Sequence, residues 1–402
     1  MKLLIWIYRS KYKRGENMNG KYGIGIMSGT SLDGIDVVLI KIDGYGLDTN
    51  LHVVAFDTIP FNVDLRNKIK KCISIKDSDS QLICSLNFEL GHAFSNAVKV
   101  LCKKINFDVE NIDFIGSHGQ TIFHIPNDVG EFKRSTLQIG EPSIIAYEIG
   151  CTVVSNFRTM DIAAGGQGAP LVPLSEYILY KSNKNRVLQN IGGIGNVTVI
   201  PKNSRLDDVF AFDTGPGNMI IDETVFRLTG EKYDKNGEIA ARGKIIYRLL
   251  DDLMKNKYIY QSPPKTTGRE LFGAQFVHKI LKKCDNEKIE DIIATVTMFT
   301  AKSIEYNYKN YIEPKYTIEE VIIGGGGSYN NTLLSMMKDI MPNYKILTQE
   351  ELGFSSESKE AIAFAILANE TLEGSFGNIT AATGAYERVI LGNITPAPKK
   401  FI

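Results

Sequence analysis

Residues 156–173, NFRTMDIAAGGQGAPLVP, set Arg158 and Asp161 three positions apart just after an apolar run ending near Val154, with Gly-Gly-Gln-Gly behind them. A carboxylate at the end of a strand can act as a general base, a device worth a factor of about 100 to 10,000 in rate. The alternative is an Arg–Asp ion pair that closes a loop. Residues 27–36, MSGTSLDGID, place small and hydroxyl side chains beside backbone N–H groups in a tight turn, which can form a nest for an anion. Asp33 and Asp36 would be odd neighbours for a phosphate unless magnesium, directly or through its waters, lies between them. A nucleotide phosphate bound with magnesium resolves that conflict, while a plain hairpin turn around Asp33-Gly34 is the alternative.

Two further glycine loops have the same character. In residues 212–218, FDTGPGN, an acid ends a strand and Gly-Pro-Gly leads into a helix, whose first N–H groups would attract an anion. Residues 324–327 are four consecutive glycines after a buried strand, a costly choice unless something approaches the backbone closely; a ribose and adenine would suit. Residues 116–120, GSHGQ, bring His118 to another strand end, where it either orients a substrate or is a satisfied core histidine. Lys265 and Arg269 flank a turn in PKTTGRE, which also reads as a solvated loop.

The elements that must hold these residues read as two similar halves. Residues 23–43 are an apolar strand, a Gly/Ser/Thr/Asp turn and a second apolar strand, and residues 188–200, LQNIGGIGNVTVI, repeat that hairpin grammar. After the first hairpin, Leu82, Leu86, Leu90, Phe94, Val98 and Leu101 recur at helical spacing ahead of a strand at 114–117. After the second, strands at 209–213 and 321–323 alternate with helices around 217–228 and 289–306 and one containing Leu333, Met337 and Ile340. Strands alternating with helices argue for layered α/β halves facing one another across a cleft. The helical stripes read as core and are assigned no chemistry.

Composition narrows the partners. A chain of 402 residues exceeds a single core and predicts two domains. The 46 basic and 46 acidic residues cancel, which removes the broad positive field that nucleic acid or an anionic membrane requires. Five scattered cysteines without a Cys-x-x-Cys pair fit a reducing cytoplasm. The apolar run at the N-terminus stops at Tyr8, too short for a secretory signal or a membrane span. Residues 1–17 read as an extension ahead of Met18, an alternative start.

Taken in order, MSGTSLDGID, SHGQT, FRTMDIAAGGQGAPLVP, NIGGIGNVT, FDTGPGNM, YDKNG, PPKTTGRE and IIGGGGSYN resemble the anhydro-N-acetylmuramic acid kinases, from about residue 23 to about residue 385. The resemblance implies a two-domain α/β actin-like ATPase (sugar kinase/heat-shock/actin) fold with ATP in an interdomain cleft, magnesium as cofactor, and a cytoplasmic homodimer. It implies an extension at 1–19, a first domain at 20–182 holding the first phosphate loop and the sugar site, and a second at 183–402 whose last residues return to the first. Asp161 is then the catalytic base. Gly29, Thr30, Ser31, Leu32, Asp33, Gly34, Ile35 and Asp36, with Gly192, Gly193, Asn196, Asp213, Gly215, Gly217, Asn218, Gly325 and Gly326, would bind ATP, Asp33 and Asp36 also serving the metal. His118, Gln120, Arg158, Gln167 and Gly168 would bind the sugar. The chain departs from the family in having Asn156 where an acid is common, Thr159 and Met160 where a further basic residue is usual, and Glu357 in place of Asp. A kinase for another anhydrosugar such as levoglucosan, and a non-enzymatic actin-like nucleotide switch, are the competing readings.

Overall fold

In the computed structural model, residues 20–29, 32, 34–352, 355 and 357–398 are described. The chain divides into two compact units, Met1–Leu179 with Gly353–Ile402, and Tyr180–Leu352.

The first unit opens with β1 (Lys21–Ser28), β2 (Gly34–Asp43) and β3 (Asn50–Pro60), an antiparallel meander. Helices α1 (Val63–Ile73) and α2 (Ser80–Lys104) follow, then β4 (Phe114–Ile125), β5 (Ser135–Ile139), α3 (Pro142–Ile149), β6 (Thr152–Ser155), α4 (Phe157–Ala163) and α5 (Val172–Tyr180). Helix α2 forms where its stripe predicts. Asp79 caps it by accepting from the Leu82 amide at 2.7 Å, and Leu86, Leu90, Phe94, Val98 and Leu101 are all buried.

The second unit contains β7 (Arg186–Ile191), β8 (Ile194–Ile200), β9 (Phe210–Pro216), α6 (Asn218–Thr229), α7 (Tyr247–Met254), α8 (Arg269–Phe272), α9 (Ala274–Leu281), α10 (Ile289–Asn307), β10 (Glu320–Gly324), α11 (Asn331–Ile340) and β11 (Lys345–Thr348). The chain then returns to the first unit with α12 (Lys359–Leu372), α13 (Thr380–Thr383) and β12 (Asn393–Thr395).

Each unit is built on one plan. The first sheet runs β12-β6-β4-β1-β2-β3 with β5 on β4, and the second runs β11-β10-β7-β8-β9. In both, an antiparallel three-strand meander is extended from its first strand by two parallel strands, through β4 and β6 in one and β10 and β11 in the other. The two hairpins read in the sequence are the opening strands of this doubled order.

Where the sequence suggested a boundary after residue 182, the units divide between Leu179 and Tyr180, and the returning segment begins at Gly353. The return of the chain to the first unit rests on two glycines. Helix α12 is apolar all round, Ala361 to Ala368 being buried without a break, so it needs cover on every side. It lies against β1 and β4 so closely that a Cβ at Gly25 would stand 1.9 Å from the Ala361 carbonyl oxygen, and one at Gly116 would stand 2.1 Å from that of Phe364. No residue other than glycine permits that approach.

Candidate active site

Strand β6 ends at Ser155, and Asn156 turns the chain into α4 through a left-handed conformation (φ 57°) that asparagine tolerates better than most residues. Helix α4 carries Arg158 and Asp161. Asp161 is fully buried and held by three segments. Its Oδ1 accepts from Thr383 Oγ1 at 2.7 Å and from Asn378 Nδ2 at 2.8 Å, while Oδ2 accepts from the Gly168 amide at 2.8 Å. An ionised carboxylate has about four acceptor positions, so three donors fix its orientation and leave one on Oδ2. The Gly166 backbone lies against that oxygen, since a Cβ there would fall 2.2 Å from Oδ2. The Gly166 amide also donates to the Asp161 carbonyl at 2.8 Å, and Arg134 reaches the carbonyls of Gly165 and Gly166.

Arg158 makes no ion pair with Asp161. Its Nη1 donates to the Gly168 carbonyl at 2.8 Å, and Nε and Nη2 approach His118 Nε2 at 3.0 and 2.8 Å. His118 Nδ1 lies 2.8 Å from the Gly119 carbonyl, an acceptor, so this nitrogen carries the proton and Nε2 is the bare acceptor that receives Arg158. Burial first, then the Arg158 charge, drives the imidazole down to about 3, against the Gly119 hydrogen bond that raises it. His118 is therefore a neutral buried side chain linked through Arg158 and Gly168 to Asp161. Gln120 is also buried. Its amide braces the first hairpin, accepting from Ser28 Oγ at 2.6 Å and donating toward the Gly29 and Thr121 carbonyls. Gln167 is exposed, with its side chain 3.4 Å from Asn127.

Of the first phosphate loop, Thr30, Ser31 and Asp33 lie outside the described residues. Leu32 is buried with φ 57°, and Gly34 and Ile35 start β2. Asp36 Oδ1 accepts from Thr58 Oγ1 at 2.6 Å.

In the second unit, amides at the start of α6 have acceptors within the chain. Gly217 and Met219 donate to the Gly193 carbonyl at 3.0 and 3.1 Å, and Asn218 donates to that of Gly192 at 2.7 Å. The β7–β8 turn sits directly on the helix start, where a Cβ at Gly217 would meet the Gly192 oxygen at 2.2 Å. The glycine run likewise has a protein neighbour. Side chains at Gly324, Gly325 and Gly327 would strike Gln349, Asn190 and Ile191 within 2.7 Å, whereas Gly326 meets only the Asn218 amide, at 3.3 Å.

The end of β9 is fixed from beneath. Ser303 Oγ and Asn307 Nδ2 donate to the Thr214 carbonyl at 2.6 and 2.9 Å, and a Cβ at Gly215 would meet Ser303 Oγ. Gln189 ties Thr214 to the Asn196 carbonyl. Asp213 Oδ2 accepts from Thr266 Oγ1 and the Thr267 amide, both at 2.9 Å, and its carboxyl is raised by burial. Lys265 is buried rather than solvated. Its ammonium donates to the Ile259 carbonyl at 3.1 Å and lies 5.1 and 5.0 Å from the centroids of the Tyr258 and Tyr311 rings. Burial lowers it to about 8, opposed by the charge of Asp213.

The family model for anhydro-N-acetylmuramic acid kinase matches residues 21–397. The chain belongs to the anhydro-N-acetylmuramic acid kinase family. The anhydro-N-acetylmuramic acid kinase of Clostridioides difficile (strain 630) is 57% identical over 378 residues, covering 94% of this chain and 99% of that protein. That of Bacillus cereus (strain ATCC 10987 / NRS 248) is 57% identical over 380 residues, with the same coverage of 94% and 99%. Among solved structures, the activator of 2-hydroxyisocaproyl-CoA dehydratase from Clostridium difficile with bound ADPNP aligns at a TM-score of 0.42 and 16% identity, covering 89% of this chain and 99% of that one.

Within this family member, the described residues hold no group of three or more His, Cys, Asp or Glu side chains able to cage a metal. Magnesium keeps most of its waters and takes one or two carboxylates plus substrate phosphates, so it needs no such cage. Asp36 is the described carboxylate that could serve it. Asn378 and Thr383, which grip Asp161, were not legible beforehand. The only signal was a run of small and hydroxyl residues, NITAATG, after the last apolar helix. No helix among the described residues is long and apolar enough to cross a membrane.

Proposed function

We propose that this protein is an ATP-dependent kinase that opens 1,6-anhydro-N-acetylmuramic acid with water and phosphorylates its 6-oxygen, giving N-acetylmuramic acid 6-phosphate and ADP. Family membership over residues 21–397 supports the activity. The observation that carries the residue assignment is the setting of Asp161, a carboxylate oriented by three donors whose remaining acceptor position is bordered by glycine backbone.

The 6-oxygen of this substrate is tied to the anomeric carbon, so a hydroxyl cannot simply attack ATP. Asp161 Oδ2 takes a proton from water as the water oxygen bonds to the anomeric carbon. The bond from that carbon to the 6-oxygen breaks, and the released oxygen takes the γ-phosphoryl group as ADP departs. Charge that would build on the leaving oxygen passes into the new phosphate ester, so each half eases the other. In the present structure Asp161 is sealed from solvent, and the reaction requires the 165–168 loop to lift from it. Arg158 and Arg134 hold that loop by its carbonyls and set where it returns. Magnesium, held by Asp36, Asp33 and the phosphates, would supply charge neutralisation. The protein acts as a cytoplasmic homodimer in cell-wall recycling.

Replacing Asp161 by Asn keeps the shape and removes the base. Turnover should fall by at least about a hundredfold with ATP affinity retained, and a loss below about tenfold would show that Asp161 is not the base.

A further inference from the structure

All four amides of the 165–168 loop are engaged. Gly165 donates to the Ile162 carbonyl at 3.0 Å, Gly166 to that of Asp161 and Gln167 to that of Thr383, both at 2.8 Å, and Gly168 to Asp161 Oδ2 at 2.8 Å. Gly165 and Gly168 have φ of 90° and 72°, and glycine loses more freedom on being fixed than any other residue. Holding such a loop shut takes strong partners, and its carbonyls have two arginines.

The two come from different settings. Arg158 takes the Gly168 carbonyl, sits on the helix that carries Asp161, and is itself bonded to buried His118. Arg134 takes the carbonyls of Gly165 and Gly166, the second at 3.1 Å. It ends the connection between β4 and β5, in which residues 127–133 are all exposed. Asp128 seats it there, Oδ1 accepting from the Arg134 amide at 2.8 Å and Oδ2 from Lys133 Nζ at 3.0 Å. Gln167 Nε2 adds a weaker tie between the same two segments, 3.4 Å from Asn127 Oδ1. One arginine is therefore anchored in the core and the other in an exposed turn, and an exposed turn opens at far lower cost.

We infer that Arg134 is a positioning residue for Asp161 and the releasable one of the two clamps. It seats the 165–168 backbone over the carboxylate and lets go when the loop lifts, while Arg158 stays in place. The consequence for turnover rests on the reading of Asp161 as the base; the clamp rests on the hydrogen bonds alone.

Hydrogen exchange at the amides of residues 165–168, followed by mass spectrometry without ATP or sugar, reads the clamp directly. Arg134→Met keeps the stem and removes the donors. Exchange there should quicken by about tenfold to a hundredfold, the loss of hydrogen bonds from a charged donor, with exchange in α2 unchanged. Arg134→Lys keeps a charged donor and should restore most of the protection. In turnover, Arg134→Met should lower kcat by about tenfold or more, since a misplaced base is costly, with the KM for ATP unchanged and kcat recovered in the lysine variant. A general loss of fold would not give that split. Unchanged exchange at 165–168 in Arg134→Met, an equal loss of protection in Arg134→Lys, or an unchanged kcat in Arg134→Met overturns the inference. Should Arg134→Met melt early, Arg134→Gln decides by the same readings. Because exchange is read with no phosphoryl transfer, unchanged exchange leaves the kinase reading standing, and a failed kinase assay leaves the exchange result intact.

Discussion

Acidification should destabilise the protein through His118, and the size of the effect follows from its surroundings. An unfolded histidine titrates near its ordinary value of 6.5, whereas burial and the Arg158 charge hold the folded one at about 3. Between those values the unfolded chain binds a proton that the folded chain refuses, so stability is intact above pH 6.5 and falls as pH drops through the window. At pH 5.5, ten of eleven unfolded molecules carry the proton, a linkage cost of roughly 1.4 kcal/mol, rising to roughly 2.7 kcal/mol at pH 4.5. Other groups titrate too, so the test is comparative. In His118→Gln the amide oxygen can still accept from Arg158, but no titrating group remains. Urea unfolding at pH 7.5 and 5.5 should show the unaltered protein losing about 1.4 kcal/mol more than the variant. Equal losses would mean that His118 is not held neutral, and with it the proton assignment at Nδ1 and the Arg158 contact would fall.

Lys265 gives the same sign at alkaline pH. Its folded value of about 8 lies below the ordinary 10.5, so stability should rise from pH 8 toward 10 in the unaltered protein, and Lys265→Met should abolish that rise in thermal melts; a rise persisting in the variant refutes the burial argument. Gly25→Ala should destabilise by about 2–3 kcal/mol or more, because its Cβ meets backbone at 1.9 Å; a melting temperature unchanged within a degree or so would mean α12 does not seat as described. A chelator should abolish turnover and leave the melting temperature unmoved, since the described residues form no metal cage of their own; turnover surviving exhaustive chelation contradicts the magnesium assignment.

The sequence announced the elements more clearly than their contacts. The stripe of α2 and both opening hairpins were readable because burial imposes fixed periods on a helix and a strand. The glycine loops were legible as special but not as to why. At Gly217 and Gly327 the close neighbour is this chain's own backbone or side chain, a tertiary fact that no local pattern carries. Arg158 and Asp161, three apart on α4, invited an ion pair, yet their partners come from residues 118, 168, 378 and 383. The return of the last residues to the first unit came from the family resemblance and not from the pattern of α12, since an apolar helix names its need for cover and not its address.

The most direct test incubates the protein with ATP, magnesium and 1,6-anhydro-N-acetylmuramic acid and follows the sugar by mass spectrometry. The account predicts ADP and a sugar heavier by the elements of water plus one phosphoryl group, matching N-acetylmuramic acid 6-phosphate. A sugar recovered unchanged, or one that gains a phosphoryl group without water, would contradict it.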